Sequence, residues 1–339
     1  MKPLVPTAVV VLASAPSAWS WADVVASNAA LVAELNADPR DSAVYALNEF
    51  SSLSPTDFRA LRLMAKRGAV LPAALCEAKQ RSQLASQAPG DLPSSWDWQS
   101  LGAVAQVRDQ GSVGTCWAFS TAGNIEGQHF IKHGTLLNIS TEQLVECDAS
   151  DDPSGNGGWG CADCGMFGGW PYLAFDYVKD AGGVHAWEEW PYCVSPPRGS
   201  GLAQCWPCMA KGYSIQDCGN HASLYCDANT TMGQGAPGLC TSSSSAVAQV
   251  TGWLAASDNE TEIASALVGS GPLSVLMNAE SLQFYKSGVF GPSHCDPANL
   301  DHAVLLVGFG SDAEGGDYWR VKNSWGAAVS WPNLILVPG

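Results

Sequence analysis

The run Gln110-Gly111-Ser112-Val113-Gly114-Thr115-Cys116-Trp117-Ala118-Phe119-Ser120 carries a polar, glycine-containing turn straight into a cysteine. Apolar residues then recur at Trp117, Phe119, Ala122, Ile125 and Phe130, the pattern of an amphipathic helix whose first turn holds Cys116. Unpaired backbone N–H groups and the dipole at a helix N-terminus favour thiolate over thiol, and thiolate is the nucleophile. A small buried thiol in a core helix fits this stretch equally well. Far downstream, Asp301-His302-Ala303 opens an apolar run that reads as a buried strand, and Tyr318-Trp319-Arg320-Val321-Lys322 leads into Asn323-Ser324-Trp325-Gly326. A Cys, a His and an Asn distant in sequence are the set that nucleophilic catalysis by an ion pair requires. The imidazole takes the thiol proton, and the amide holds the ring in one tautomer and orientation.

In this order the motifs resemble the papain family of cysteine peptidases, on its cathepsin L and cathepsin F side, over roughly residues 92–326 and part of the preceding segment. The resemblance implies an α+β fold of two lobes with a cleft between them. A helical lobe (about 97–195) would supply Cys116, and a β-barrel-like lobe (about 246–339) would supply His302 and Asn323. Gln110 is then the side-chain donor of an oxyanion hole shared with the Cys116 N–H, because the tetrahedral intermediate carries a charged oxygen that needs fixed donors. Trp325 would shield the Asn323–His302 hydrogen bond from water. Gly168, Gly169 and Trp170 match the cleft wall against which an extended peptide pairs like an added strand. Leu276 and Ala303 would line an apolar pocket for the second residue before the scissile bond. One disulfide is implied, Cys147 to Cys193. The implied activity is endopeptidase cleavage of protein or peptide substrates by a monomer with no cofactor and no metal, open to cystatin-type inhibitors. A non-catalytic secreted relative that binds partners through a Cys-rich insert is the alternative.

The spacing departs from the family. His302 and Asn323 follow Cys116 by 186 and 207 positions (302 − 116 and 323 − 116), against the usual 130–150, so on the order of 40 to 60 extra residues lie between the halves of the site. Their place is visible. Between Tyr192 and Ser245 hydrophobic periodicity vanishes and six cysteines occur, Cys193, Cys205, Cys208, Cys218, Cys226 and Cys240. A loop of that length in an enzyme is functional or cross-linked. Val113 stands where the family carries a cysteine, which leaves Cys161 or Cys164 to find another partner. The pairs Cys161/Cys164 and Cys205/Cys208 resemble zinc ligands, but their separation is long for a zinc ribbon and a secreted chain favours disulfides. His129 and His133, four apart on the Cys116 helix, read as a solvated helix face.

Composition sets the compartment. A net charge of −16 with 16 Lys plus Arg in 339 residues argues against nucleic acid or an anionic membrane as partner. Twelve cysteines point to an oxidising environment. Lys2 followed by an apolar run from Leu4 to Ala15 and small residues reads as a signal peptide over 1–20, which directs the chain to secretion or to a lysosomal or vacuolar compartment. Residues 21–90 resemble a shortened inhibitory propeptide, with Asn28 as a trace of the family's long pro-helix. Within it Leu61 and Met64 suggest helical spacing, and Ser54 with Pro55 reads as a capped helix start. Polar Gln87 to Asp91 offers a maturation site before Leu92. Helices are expected after Ser140 and from Pro171, strands near 272–277, 303–307 and 318–321. Sequons occur at Asn138, Asn229 and Asn259. After Gly326 the family's later strands are missing, so a truncated sheet lobe with at most one short strand over Leu334 to Val337 and an unpaired Cys295 is expected.

Overall fold

One long strand organises the sheet, and one long helix lies against it. The computed structural model describes residues 20–64, 92–152, 161–193, 208–221, 224, 240, 245–256, 259–291, 299–312, 316–326 and 334–338. In chain order the elements are α1 (Trp21–Leu35), β1 (Val44–Tyr45), α2 (Pro55–Arg62), β2 (Trp96–Asp97), α3 (Cys116–His133), α4 (Thr141–Cys147), β3 (Asp151–Asp152), β4 (Cys161–Ala162) and α5 (Pro171–Asp180). There follow α6 (Ile215–Cys218), α7 (Glu260–Ser270), β5 (Leu273–Met277), β6 (Tyr285–Ser287), β7 (His302–Asp312), β8 (Gly316–Lys322) and β9 (Leu334–Pro338). The signal-peptide stretch, the maturation site, Cys205, Cys226, Asn229 and Cys295 lie outside the described residues.

The expected two lobes are present. The helical lobe gathers α3, α4 and α5 around Trp117, Leu144, Val145, Ala174 and Val178, all buried. The sheet lobe is built on β7, which pairs antiparallel with β5 and β2 along one side and with β8 along the other, while β9 extends β8. Among the described residues this sheet is open, not a closed barrel. Leu334–Pro338 does more than form an isolated short strand. It runs in register with Tyr318–Lys322, buries Ile335 completely, and its Leu336 C=O accepts the Phe290 N–H.

Local chemistry explains the helix ends. Ser54 accepts from Asp57 N–H and Pro55 occupies the first helical position, as the sequence suggests for α2. Ser140 caps α4 through Gln143 N–H. Helix α3 stops at Gly134, whose φ of 72° is open to glycine at little cost, and Lys132 and His133 meet the negative end of its dipole. The reading of a helix through Met64 is corrected: α2 ends at Arg62, because Leu63 turns extended into the core and the Met64 N–H pairs with Asp301 C=O at 2.8 Å. Tertiary contacts override the local spacing there.

Residues 20–64 dock on the sheet lobe. Asn28 of α1 is buried and donates to Ser51 and Leu53 carbonyls, and β1 pairs with β6. Phe50 and Phe58 lie edge-on to Trp325, with centroids 6.1 and 5.3 Å away.

The disulfides correct one expectation. Cys147 pairs with Cys240, Cα atoms 5.5 Å apart, and not with Cys193, which is disulfide-bonded elsewhere. Cys193 and Cys208 also lie against α4, on Glu142 and Glu146, but the thiol brought to Cys147 is that of Cys240. Cys164, lacking a cysteine at position 113, pairs with Cys218. Bridges closing separations of 93 and 54 residues remove about 4 to 5 kcal/mol of unfolded-state entropy each in the chain-entropy picture. Replacing Cys164 and Cys218 together by Ser is therefore expected to lower unfolding free energy by about 2–5 kcal/mol. Denaturant melts under non-reducing conditions check this, and an unchanged midpoint would show that the bridge adds nothing.

Candidate active site

Cys116 is the first residue of α3 and fully buried. A first-turn residue has no intrahelical acceptor for its N–H, so that donor remains available. Its Sγ accepts the Ala303 N–H at 3.3 Å, which brings the start of α3 to the start of β7. His302, also fully buried, sits one residue earlier on β7, opposite Met277 of β5.

The His302 Nε2–H donates to Asn323 Oδ1 at 2.7 Å. That bond selects the tautomer with a lone pair on Nδ1, and Nδ1 is buried with no hydrogen-bond partner among the described residues. Asn323 Oδ1 also accepts the Ser324 N–H at 2.8 Å, which fixes the amide. Trp325 covers the imidazole at 4.8 Å between ring centroids.

Electrostatics give a neutral pair. Burial pushes the Cys116 thiol up to about 12, opposed in part by the Ala303 N–H. Burial pulls His302 down to about 4, opposed by its bond to Asn323. Desolvation disfavours both charged forms and here outweighs the helix start, so thiol and neutral imidazole prevail over the expected ion pair in this closed arrangement.

Gln110 is held at every polar atom. Its N–H donates to Ser324 C=O at 2.8 Å, and its Oε1 accepts from Ser324 Oγ at 2.6 Å. Its carbonyl accepts from Tyr192 OH at 2.8 Å. One Nε2 hydrogen goes to Val113 C=O at 2.8 Å, and the other to Arg62 C=O at 3.0 Å. That second acceptor belongs to the N-terminal segment, so a peptide carbonyl occupies the place in front of the amide. Arg62 is secured by an ion pair to Asp109 at 3.0 Å and lies over the Phe50 ring at 4.7 Å.

The same segment continues over the wall. A Cβ on Gly168 would lie 3.2 Å from Met64 Cβ, and Met64 packs with the cluster around Cys116. Gly169 has no room for a side chain: a Cβ would meet Asp163 Oδ1 at 2.5 Å and Trp117 at 2.6 Å. Trp170 is half-buried beside Tyr172, its N–H donating to Asp163 Oδ1. Leu276 and Ala303 are direct cross-strand partners, and both touch the Cys116 cluster.

Cys116, His302, Asn323, Gln110, Trp325, Gly168, Gly169, Leu276 and Ala303 thus gather around the seam between the lobes, with Trp170 at the outer edge of the wall. Cys147 lies at the end of α4, bonded to Cys240. Sequence reasoning missed Ser324, Tyr192 and Asp301. Ser324 had a signal in its place between Asn323 and Trp325. Asp301, which accepts from the Ala279 and Asn278 side of the sheet, had one in its place before His302. Tyr192 had none.

A helical lobe and a sheet lobe thus meet over a buried cluster of Cys116, His302 and Asn323. Residues 92–332 match the papain family cysteine protease, and the chain belongs to that family. It is 36% identical over 244 residues to digestive cysteine proteinase 2 of Homarus americanus, covering 71% of this chain and 59% of that protein. It is 35% identical over 299 residues to cysteine proteinase 15A of Pisum sativum, covering 86% and 68%. Cathepsin F of Mus musculus is 31% identical, covering 90% and 53%. The chain therefore spans between about half and two thirds of the length of these relatives. Among solved structures, digestive procathepsin L2 proteinase from the Tenebrio molitor larval midgut superposes with a TM-score of 0.66 at 26% identity, covering 93% of this chain and 85% of that one. Procathepsin L 3 from the same tissue gives 0.63 at 28% identity, covering 93% and 84%.

The buried imidazole makes stability depend on pH with a definite sign. Its folded pKa of about 4 lies below the ordinary 6.5. Above pH 6.5 the ring is neutral in both states and the full stability is present. Between 6.5 and about 4 the unfolded chain takes up a proton that the folded chain refuses, so stability falls by about 3 kcal/mol, then levels off. His302→Gln is expected to remove that slope. Unfolding midpoints of the two proteins at pH 7.5 and 4.5 test it, and an equal loss in both would place the acid sensitivity elsewhere.

Proposed function

We propose that the chain is a thiol endopeptidase made as a zymogen, and that residues 20–64 hold it latent. The observation that carries this reading is the peptide carbonyl of Arg62 resting on Gln110 Nε2. A donor already engaged by a backbone carbonyl is suited to the carbonyl of a substrate. Departure of the segment would let water reach Cys116 and His302, lowering the desolvation that keeps both neutral and permitting the thiolate–imidazolium pair.

In the productive cycle Cys116 Sγ attacks the scissile carbonyl carbon. His302 takes the thiol proton and delivers it to the departing amine as the C–N bond breaks, leaving an acyl group on sulfur. Water then enters and gives a proton to His302 as its oxygen attacks the acyl carbon; the C–S bond breaks, the acid leaves, and the His302 proton returns to the sulfur. Asn323 keeps the imidazole oriented under Trp325. Gln110 Nε2 and the Cys116 N–H stabilise the oxyanion in both halves. Substrate would lie along Gly168 and Gly169 in the extended form, with an apolar side chain toward Leu276 and Ala303.

The finer assignments follow from the same reading. The mature enzyme would begin near Leu92, after a signal peptide and a propeptide. Its bridges suit an oxidising compartment, so secretion or delivery to a lysosome or vacuole is proposed. Among the described residues no helix is long and apolar enough to cross a membrane. Protein substrates, cystatin-type inhibitors and a monomeric state complete the proposal.

Cys116→Ala is expected to abolish peptide hydrolysis and labelling by an active-site-directed epoxide, with the circular dichroism spectrum unchanged. Gln110→Ala is expected to lower kcat by roughly 10²-fold with little change in KM, the behaviour of a lost oxyanion donor. Full activity in the first variant would sink the peptidase reading. A change confined to KM in the second would make Gln110 a binding residue only.

A further inference from the structure

Two donors must stand at a fixed separation to hold one oxyanion, and Gln110 and Cys116 lie at the two ends of a seven-residue stretch. Tyr192 joins those ends. Its buried hydroxyl donates to Gln110 C=O at 2.8 Å and lies 2.7 Å from Thr115 Oγ1. A phenol has one proton to give, so the Thr115 hydroxyl is the donor in the second bond.

Thr115 deepens the point. It is the N-cap of α3, where a threonine hydroxyl ordinarily accepts from the second or third N–H of the helix. Here it makes no such bond. The fully buried hydroxyl is turned to Tyr192 instead.

Tyr192 is itself held from every side. The carbonyl of Trp190 accepts from Ser140 Oγ at 2.7 Å, and the Cys193 N–H donates to Glu142 Oε2 at 2.9 Å. Its ring stands edge-on to Phe119 at 4.9 Å and stacks on Trp187 at 6.4 Å. The backbone on both sides is pinned to α4, and the ring to α3, so the hydroxyl is a rigid reference point.

We propose that Tyr192 is a positioning residue of the oxyanion hole, its hydroxyl bridging Gln110 and Thr115 so that Gln110 Nε2 and the Cys116 N–H keep the spacing the tetrahedral intermediate needs. Ser324 holds the side chain of Gln110 from the sheet lobe, and Tyr192 holds its backbone from the helical lobe. The role rests on the peptidase reading above, and acts through Gln110 without touching substrate.

The test uses the processed enzyme. Peptide hydrolysis and epoxide labelling of the unaltered protein come first: if neither occurs, it is the peptidase reading that fails, and the inference falls with it. In an active enzyme, Tyr192→Phe keeps the ring and deletes the bridge. The expected result is a kcat lower by roughly tenfold with KM within about twofold. In a Gln110→Ala background the same change is expected to lower kcat by less than about twofold, because both act through one donor. Alkylation of Cys116 by iodoacetamide, which passes through no oxyanion, is expected to keep its rate. An unchanged kcat, an equal loss in both backgrounds, or a parallel fall in alkylation rate would each overturn the proposal. Should Tyr192→Phe fail to fold, Thr115→Val loosens the same bridge; a kcat loss of a few-fold with alkylation unchanged supports it, and full activity overturns it.

Discussion

The contact of α3 with β7 is the constraint on which the rest depends. Gly123 lets the helix approach so closely that a Cβ there would lie 2.9 Å from Leu305 Cδ2. Ser120 Oγ donates to Val304 C=O, Ser274 Oγ returns a bond to Ser120 C=O, and Asn124 reaches Pro272 C=O. With the Ala303 N–H bond to Cys116 Sγ, these side-chain bonds hold α3 to β7, to its neighbour β5 and to the residue before β5. Cys116 and His302 are fixed relative to one another by this seam. A displacement of one turn of α3 would separate them whatever the rest of the fold did.

Burial at that seam has an electrostatic consequence. The neutral thiol and imidazole cost far less to enclose than an ion pair there, which would have to recover two desolvation penalties. The closed form therefore favours the neutral site. The helical lobe responds to pH in the opposite sense. Burial raises the carboxyls of Glu142, Asp148 and Asp163. Protonated, they are tolerated in the core; as pH climbs above the ordinary carboxylate range they are deprotonated in the unfolded chain first, and stability falls. Acid thus relieves α4 and its neighbours while it loads the His302 seam.

The parts legible in the sequence were those where residue type alone fixes chemistry. Cys116, His302 and Asn323 could be singled out together from separated short motifs, and Gln110 through the resemblance those motifs carry, because each motif is a local pattern. The helix starts at Ser54, Ser140 and Pro171 were legible for the same reason, since capping is local. What stayed hidden depended on long-range geometry. Leu61 and Met64 keep helical spacing, yet Leu63 gains more by entering the core and Met64 by pairing with Asp301. The partner of Cys147 could not be found by spacing, because Cys193, Cys208 and Cys240 all come to α4 and only the fold sets which thiol meets it. Nothing in the sequence marks Tyr192, and only the folded chain shows that its hydroxyl meets Gln110.

Val113 marks where this chain solves a family problem differently. A cysteine there would tie the loop before Cys116 to the wall of the cleft by a bridge. Here the Gly114 N–H donates to Met166 C=O at 2.7 Å, and Gly114 presents no side chain to the carbonyls of Leu63 and Met166 that crowd it. The loop is held to the wall by a backbone bond instead. Cys164, released from that duty, is bonded outward to Cys218, and the described part of the insert packs behind the wall. Met209 and Tyr213 are buried with Ala162, and Phe167 stacks on His221 at 4.0 Å. A hydrogen bond tolerates small shifts that a disulfide would resist, so the firmness of the glycine wall must come from behind it. The described residues of the insert pack against Ala162 and Phe167, next to Gly168 and Gly169, which gives them a structural task at the back of that stretch.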